Sequence, residues 1–300
     1  MTIDLAFAEA IARLPLRARR RALRLAWRAA ASAKRLPDFE IDSGFRRFLR
    51  LSGIEAERLN REAVFHDRLV SLEWLAMLRR TVRQLESDAR FAHIDGEDTL
   101  AHVAATGKPI ILAPIHMGCF ALVFGKMMQR FFHDRPMLIL RAREDRETET
   151  AVMQRIGEIG IDMRLLNVKE KANYVDAARF ARNGAVIVYF VDLPGSYGGS
   201  FDASLFGQQV KLAMGIDSFA RITEGIVVPA RVRSTLDGDE MRLGAPFECA
   251  ETGPAEKARV ADMVRRHIER SVLDAPAQWY FWSRFAEYLD HSSESTAAAQ

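Results

Sequence analysis

The sequence predicts an α/β fold in which a mostly parallel central sheet is flanked by helices and preceded by a helical N-terminal region. Two observations support this. Up to about residue 88, apolar residues recur at steps of three and four among many arginines, which is typical of amphipathic helices. After Gly96, short apolar runs alternate with helical stretches, which indicates strands covered by helices on both faces. We therefore divide the chain into a helical region 1–95, an α/β domain 96–291 and a disordered tail 292–300.

Most of the N-terminal third is predicted to be helical. Residues 4–35 form the first helical segment, which Pro15 divides because proline breaks a helix interior. Residues 43–52 and 54–88 continue the helical region. A shorter helix is predicted at Asp98–Thr106, and Gly107 ends it.

The rest of the chain alternates between predicted strands and helices. The strands are predicted at Pro109–Ile115, Met137–Leu140, Asp162–Leu165, Ala185–Val191 and Ile226–Val232. The helices are predicted at Phe120–Phe132, Thr148–Ile159, Tyr174–Asn183, Ala213–Thr223 and Pro254–Ala275.

Composition and charge exclude several classes of protein. The net charge of +3 gives no general attraction to nucleic acid, and two cysteines are too few for a disulfide framework. No apolar run reaches the ~18 uncharged residues of a transmembrane helix, and the first residues lack the pattern of a secretory signal. We expect a cytoplasmic protein, with the arginine-rich segment Arg13–Arg28 as a peripheral contact with an anionic membrane on its inner face. A solvated helix face and a docking surface for an acidic carrier protein are the alternatives that the sequence leaves open.

Two ionisable side chains follow predicted strands. His116 ends the run PIILAPI, and Asp192 ends the run AVIVYFV. Parallel strands deliver their carboxyl ends to one edge of a sheet, where open α/β folds bind ligands. Imidazole can accept a proton near neutral pH, which suits a general base acting on an alcohol. The alternatives are a histidine satisfied by a backbone carbonyl and an aspartate that caps a turn.

Three further positions are candidates near this edge. Arg141 and Arg143 follow the second strand, where a guanidinium can bind a phosphate or carboxylate with two parallel hydrogen bonds, although alternating charges there also suit a solvated helix start. Gly118 and Cys119 lead into the next helix. The thiol of Cys119 is a weaker candidate nucleophile, since buried cysteines are commonly inert. The spacing of metal ligands is absent from the sequence.

Four blocks of this sequence, in order, resemble the late lipid A (lauroyl/myristoyl) acyltransferase family. They are GEDTLAHVAATGKPIILAPIHMGCFALV, LILRAREDRE, the long stretch from VYFVDLPGSYGG to VVPARV, and PAQWYFWSRF. The resemblance covers about residues 10–288. It implies a lysophospholipid-acyltransferase-like fold, a role in lipid metabolism of the lipopolysaccharide type, and an acyl-carrier-protein or CoA thioester as acyl donor without a further cofactor.

The resemblance also implies roles for individual residues. His116 matches the catalytic base, Arg141 or Arg143 the arginine of the second block, and Asp192 the aspartate that opens the third block. Backbone N–H groups near Gly118 would stabilise the oxyanion. Ala121 stands where the family carries the acid that orients the histidine, so His116 lacks the usual acidic partner at this position.

Three functions follow as hypotheses. The first is an O-acyltransferase that moves an acyl group from a thioester to a hydroxyl of a lipid, glycolipid or polysaccharide precursor, with His116 as general base. The second, motivated by Ala121, is a degenerate family member that binds an acyl lipid or acyl carrier as a partner protein. The third is a thioester hydrolase that uses water or Cys119. The sequence favours the first because Arg141, Asp192 and the closing Trp-rich block PAQWYFWSRF are all present beside an intact His116.

Overall fold

A seven-stranded sheet forms the centre of the protein. The computed structural model describes residues 5–33, 41–141, 147–158, 160–168 and 171–289; the predicted tail 292–300 lies outside them. The sheet has the order β1-β9-β8-β2-β5-β3-β4, and each neighbouring pair is parallel except β8 and β9. The strands are β1 (Ala92–Asp95), β2 (Ile110–Pro114), β3 (Met137–Arg141), β4 (Met163–Asn167), β5 (Val186–Val188), β8 (Ile226–Ser234) and β9 (Asp239–Leu243).

The helices that surround the sheet agree largely with the predicted ones. The N-terminal region contains α1 (Leu5–Ala12), α2 (Leu16–Ser32), α3 (Asp42–Leu49), α4 (Gly53–Arg79) and α5 (Val82–Ala89). The remaining helices are α6 (Glu97–Ala105), α7 (Phe120–Phe131), α8 (Glu147–Gly157), α9 (Lys171–Ala181), α10 (Ile216–Thr223) and α11 (Pro254–Asp274). Pro15 separates α1 from α2, as predicted, and the mixed α/β class with a mostly parallel sheet is confirmed.

One helix that was predicted as continuous is interrupted in the structure. Residues 54–88 form two helices because Thr81 starts a new one. Its side chain accepts a hydrogen bond from the main-chain N–H of Gln84, and the Gln84 side chain accepts one from the N–H of Thr81. This reciprocal cap favours a helix start over continuation of α4.

Four strands escape the sequence prediction. The strands β1 and β9 lie at one side of the sheet, and polar or charged residues interrupt both, which hides the apolar signal. These residues are His93 and Asp95 in β1, and Asp239, Glu240 and Arg242 in β9. The other two, β6 (Ser200–Leu205) and β7 (Gln208–Ala213), form a separate antiparallel hairpin. Its turn, Phe206-Gly207, has positive φ at both residues, which suits a tight hairpin. Because β7 includes Ala213, α10 begins at Ile216, later than predicted.

Alternate residues of β2 enter two different cores. Ile111 and Ala113 pack into one cluster, whereas Ile110 and Leu112 pack into a second cluster on the other face. A strand buried on both faces is expected for a parallel sheet covered by helices on each side. The strand β1 joins this sheet although it lies before the predicted domain boundary at residue 95, so the division into a helical region and an α/β domain stays a prediction.

The arginine-rich segment is not a uniform basic surface. Arg19 and Arg20 are fully buried, and both guanidiniums bind Glu73. Arg19 also pairs with Asp88 and Arg20 with Asp239, at 2.6 and 2.8 Å. The expectation that the whole of Arg13–Arg28 faces a membrane is therefore wrong for these two arginines, because they carry buried ion pairs between helices. Four other arginines of this segment have exposed side chains: Arg13, Arg17, Arg21 and Arg28.

No helix within the described ranges has both the length and the apolar character that crossing a bilayer requires.

We predict that Glu73→Gln destabilises the fold by about 3–5 kcal/mol, because it leaves two buried guanidiniums without their shared anion. Urea unfolding measures this. The exposed Glu57, which pairs with Arg61 on the same helix, provides the control, and Glu57→Gln should cost about 0.5 kcal/mol or less.

The same ion pair predicts a pH dependence. Burial alone would raise the pKa of Glu73, but the Arg20 and Arg19 guanidiniums outweigh it and lower the pKa to about 2. The carboxylate therefore contributes stability that is complete above about pH 4.5 and is lost as the pH falls toward 2. In Glu73→Gln this part of the acid-induced loss should disappear; an unchanged acid profile would contradict the assignment.

Candidate active site

The structure brings His116 and Asp192 together at one edge of the sheet. His116 follows the end of β2 by two residues, and Asp192 follows the end of the neighbouring parallel strand β5 by four. The His116 Nδ1 atom lies 2.8 Å from Asp192 Oδ1. Asp192 thus occupies, from a different strand, the place of a partner acid that the sequence near His116 does not supply.

Asp192 is completely buried and its carboxylate is held by several donors. Its Oδ2 atom accepts hydrogen bonds from the main-chain N–H of His116, at 2.8 Å, and from Trp279 Nε1–H, at 2.9 Å. The Tyr288 hydroxyl donates to the main-chain carbonyl of Asp192 at 2.5 Å. A buried carboxylate needs such donors to replace the water it has lost.

This arrangement fixes the role of each nitrogen of His116. A carboxylate accepts hydrogen bonds, so Nδ1 carries the proton and Nε2 of the neutral ring carries the lone pair. No described residue makes a hydrogen bond to Nε2. The His116 side chain is 24% exposed and lines a cavity in the protein. The lone pair is therefore presented to a space that a substrate can enter.

The cavity has a volume of about 870 Å³ and mainly apolar walls. A row of aromatic rings leads away from the imidazole. Phe190 stacks on His116 with ring centroids 4.0 Å apart, Phe120 lies 5.4 Å from Phe190, and Trp74 lies 6.2 Å from Phe120. Helix α7 contributes both to the cavity and to the core: Phe120 and Phe124 line the cavity, whereas Met127 and Met128 are buried in the core.

Polar groups lie around the same cavity. Arg141, at the end of β3, lines it and donates to the Thr150 hydroxyl at 3.3 Å. Arg284 also lines it and is held by Glu287 and by the Tyr197 hydroxyl. Arg143 lies outside the described residues. The structure thus places Arg141 with His116 and adds Arg284, which the sequence did not single out as a site residue.

Gly118 forms the turn between His116 and α7. Its φ is +64°, and a Cβ atom there would lie 2.5 Å from the carbonyl oxygen of Val232. Its own carbonyl accepts a hydrogen bond from the Tyr280 hydroxyl. Glycine is thus needed both for the backbone conformation and for the close approach to β8.

The structure supports neither a nucleophilic nor an oxyanion-binding role for Cys119. Its main-chain N–H, one of those near Gly118, already donates to Ser234 Oγ at 2.7 Å. Its side chain is buried, and burial raises the pKa of the thiol well above the ordinary range. A thiol that stays protonated is a poor nucleophile, so the structure does not support Cys119 as one.

The last of the four sequence blocks, PAQWYFWSRF, lies directly against the His116 turn. Gln278 makes two side-chain hydrogen bonds to the main chain of Ser234, and the N–H of Tyr280 donates to the carbonyl of His116 at 3.0 Å. Phe281 contacts the His116 ring edge to face, with centroids 4.9 Å apart. The block carries part of the family resemblance, but Trp279 and its neighbours were not among the predicted site residues.

The described residues contain no group of three or more His, Cys, Asp or Glu side chains that could hold a metal ion.

We predict that Gly118→Ala destabilises the protein by more than about 3 kcal/mol, since it combines left-handed strain with a backbone collision. Gly107 provides a matched control: its φ is +72°, but nothing lies within 4 Å of an added Cβ. Gly107→Ala should therefore cost about 1–2 kcal/mol in urea unfolding. Equal losses in the two variants would mean that contact with Val232 is unimportant.

Known proteins that are similar to this chain include one solved structure and one protein family. The PlsC 1-acyl-sn-glycerophosphate (LPA) acyltransferase from Thermotoga maritima, a solved structure, is 16% identical in sequence, with a TM-score of 0.37 over 86% of this chain and 97% of that one. None of the curated proteins matches this sequence. Residues 69–285 match the family model described as bacterial lipid A biosynthesis acyltransferase. Because that match spans well over half of the chain, the protein belongs to the bacterial lipid A biosynthesis acyltransferase family.

Proposed function

We propose that this protein is an O-acyltransferase that moves an acyl group from an acyl-carrier-protein or CoA thioester to a hydroxyl of a lipid, glycolipid or polysaccharide precursor. The observation that carries the proposal is the His116–Asp192 pair, with Nε2 presented to a largely apolar cavity. Family membership supports acyl transfer in general, and the site supports the identity of the base. Arg13, Arg17, Arg21 and Arg28 are the candidates for contact with an anionic membrane.

His116 acts as the general base. The acceptor hydroxyl gives its proton to Nε2 while its oxygen forms a bond to the thioester carbonyl carbon. Asp192, hydrogen-bonded to Nδ1–H, keeps the ring in the required tautomer and stabilises the imidazolium that forms. When the tetrahedral intermediate collapses, the C–S bond breaks and Nε2 returns the proton to the leaving sulfur. The products are an ester and a free thiol.

The cavity offers contacts for both an acyl chain and a phosphate group of the substrates. Its aromatic and aliphatic walls suit an acyl chain, because removing each methylene from water contributes about 0.8 kcal/mol. Arg141 and Arg284 suit a phosphate of the donor or of the acceptor. For the oxyanion, the first N–H groups of α7 remain the candidates, since a helix N-terminus favours developing negative charge.

We predict that Asp192→Asn lowers kcat about ten-thousand-fold, because the amide stabilises the wrong tautomer of His116. His116→Ala should lower kcat at least as far, to the residual rate that substrate binding and oxyanion stabilisation alone support. Transfer of a radiolabelled acyl group from an acyl thioester to candidate lipid hydroxyls measures both. Asp176 is exposed on α9 and pairs with Arg179, so Asp176→Asn is the control with an unchanged rate.

The degenerate-member hypothesis makes the opposite prediction. It requires that the biological activity survive in His116→Ala, and full activity in that variant would overturn the proposal. The presence of Asp192 beside His116 removes the main motive for that hypothesis, which was the alanine at position 121.

We predict that Arg141→Ala raises KM about tenfold to a hundredfold with a smaller change in kcat, because a charge-assisted contact to the substrate is lost. Arg141→Lys should recover part of the affinity, since it restores the charge but not the two parallel donors. Arg130 is an exposed residue of α7 that pairs with Glu97, and Arg130→Ala should leave KM unchanged. An unaltered KM in Arg141→Ala would exclude Arg141 from substrate binding.

A further inference from the structure

We propose that Trp279 is a positioning residue for catalysis: its indole N–H orients the Asp192 carboxylate and, through it, the His116 ring. The inference rests on the proposed function, because it assigns Trp279 a part in the same His116–Asp192 pair. Trp279 acts through Asp192 and touches no substrate in this account.

The first support is the geometry of the carboxylate. Trp279 Nε1–H and the main-chain N–H of His116 both donate to Oδ2, whereas Nδ1 of the His116 ring donates to Oδ1. A carboxylate held at both oxygens cannot rotate about its Cβ–Cγ bond without breaking a hydrogen bond. Trp279 therefore fixes the plane in which Oδ1 meets the imidazole.

The second support is the way in which the main chain places the indole. Trp279 forms an isolated antiparallel bridge with Met117, the residue after His116. The next residue, Tyr280, donates its N–H to the carbonyl of His116 at 3.0 Å. The indole and the imidazole therefore sit on two short backbone segments that are bonded to each other, which keeps their relative position constant.

The third support is the chemistry of a buried anion. Asp192 has no solvent exposure, so water cannot replace a donor that its carboxylate loses. A carboxylate with fewer donors rotates more freely, and once Oδ1 turns away, Nδ1–H loses its acceptor. The ring can then place its proton on Nε2, where it cannot act as a base. An aromatic residue required for packing alone would not need an N–H at this point.

The neighbouring Trp282 offers a matched control. It is buried in the same aromatic cluster, with its ring centroid 5.0 Å from that of Trp279. Its own Nε1–H donates to the carbonyl of Pro276 at 2.6 Å, away from Asp192. Trp279→Phe and Trp282→Phe therefore remove similar volume and one buried N–H each, but only the first affects the carboxylate.

The test compares these two variants in acyl transfer and in ¹⁵N NMR of the His116 ring, both in the full chain. For Trp279→Phe we expect kcat to fall about tenfold to a hundredfold with KM within about threefold. The His116 ring should show an increased share of the Nε2–H tautomer. Trp282→Phe should change neither kcat nor the tautomer, whatever its effect on stability.

Wild-type kcat and an unchanged His116 tautomer in Trp279→Phe would overturn the proposal, as would equal changes in both variants. If Trp279→Phe does not fold, an indole analogue with sulfur in place of the N–H, built in at position 279, tests the same hydrogen bond at nearly constant volume. The NMR signature does not depend on turnover. A wild-type protein without acyl transfer but with the expected tautomer change would refute the proposed function and leave the positioning role intact.

Discussion

A buried carboxylate stays ionised only where hydrogen-bond donors replace water, and the site of this protein is arranged around one such group. Asp192 receives the main-chain N–H of His116, the indole N–H of Trp279 and the Nδ1–H of the His116 ring. These bonds determine the tautomer of the imidazole, and the tautomer determines which nitrogen faces the cavity. The ability of His116 to act as a base thus depends on the hydrogen bonds to Asp192, a residue that the substrate does not touch in this account.

The rest of the fold serves to hold this pair in place. Two adjacent parallel strands, β2 and β5, bring His116 and Asp192 to the same edge of the sheet. Behind the turn after His116, Ser234 accepts the N–H of Cys119 and donates to Asp239, which in turn binds the buried Arg20 of α2. The N-terminal segment is thereby tied into the interior near the site through Arg20, whereas Arg13, Arg17, Arg21 and Arg28 keep exposed side chains.

The strands that consist of strong apolar runs were predictable from the sequence. Both members of the His116–Asp192 pair were also predictable, because parallel strands share a carboxyl edge. The sequence could not show that Asp192 stands in for the acid absent at Ala121, since the distance between two strand ends depends on strand order. The strands β1 and β9 were missed because polar and charged residues interrupt their apolar pattern. The burial of Arg19 and Arg20 was also hidden, as their partners Glu73 and Asp239 are distant in the chain.

The central claim is that His116 and Asp192 act as one catalytic unit, and a double-mutant cycle on the rate of acyl transfer tests it most directly. It requires His116→Ala, Asp192→Asn and the double variant, each measured against the wild type at saturating thioester. Residues that work as a unit are strongly non-additive. The account predicts that the double variant is no slower than His116→Ala alone. Rate losses that multiply would show that the two side chains act independently and would contradict it.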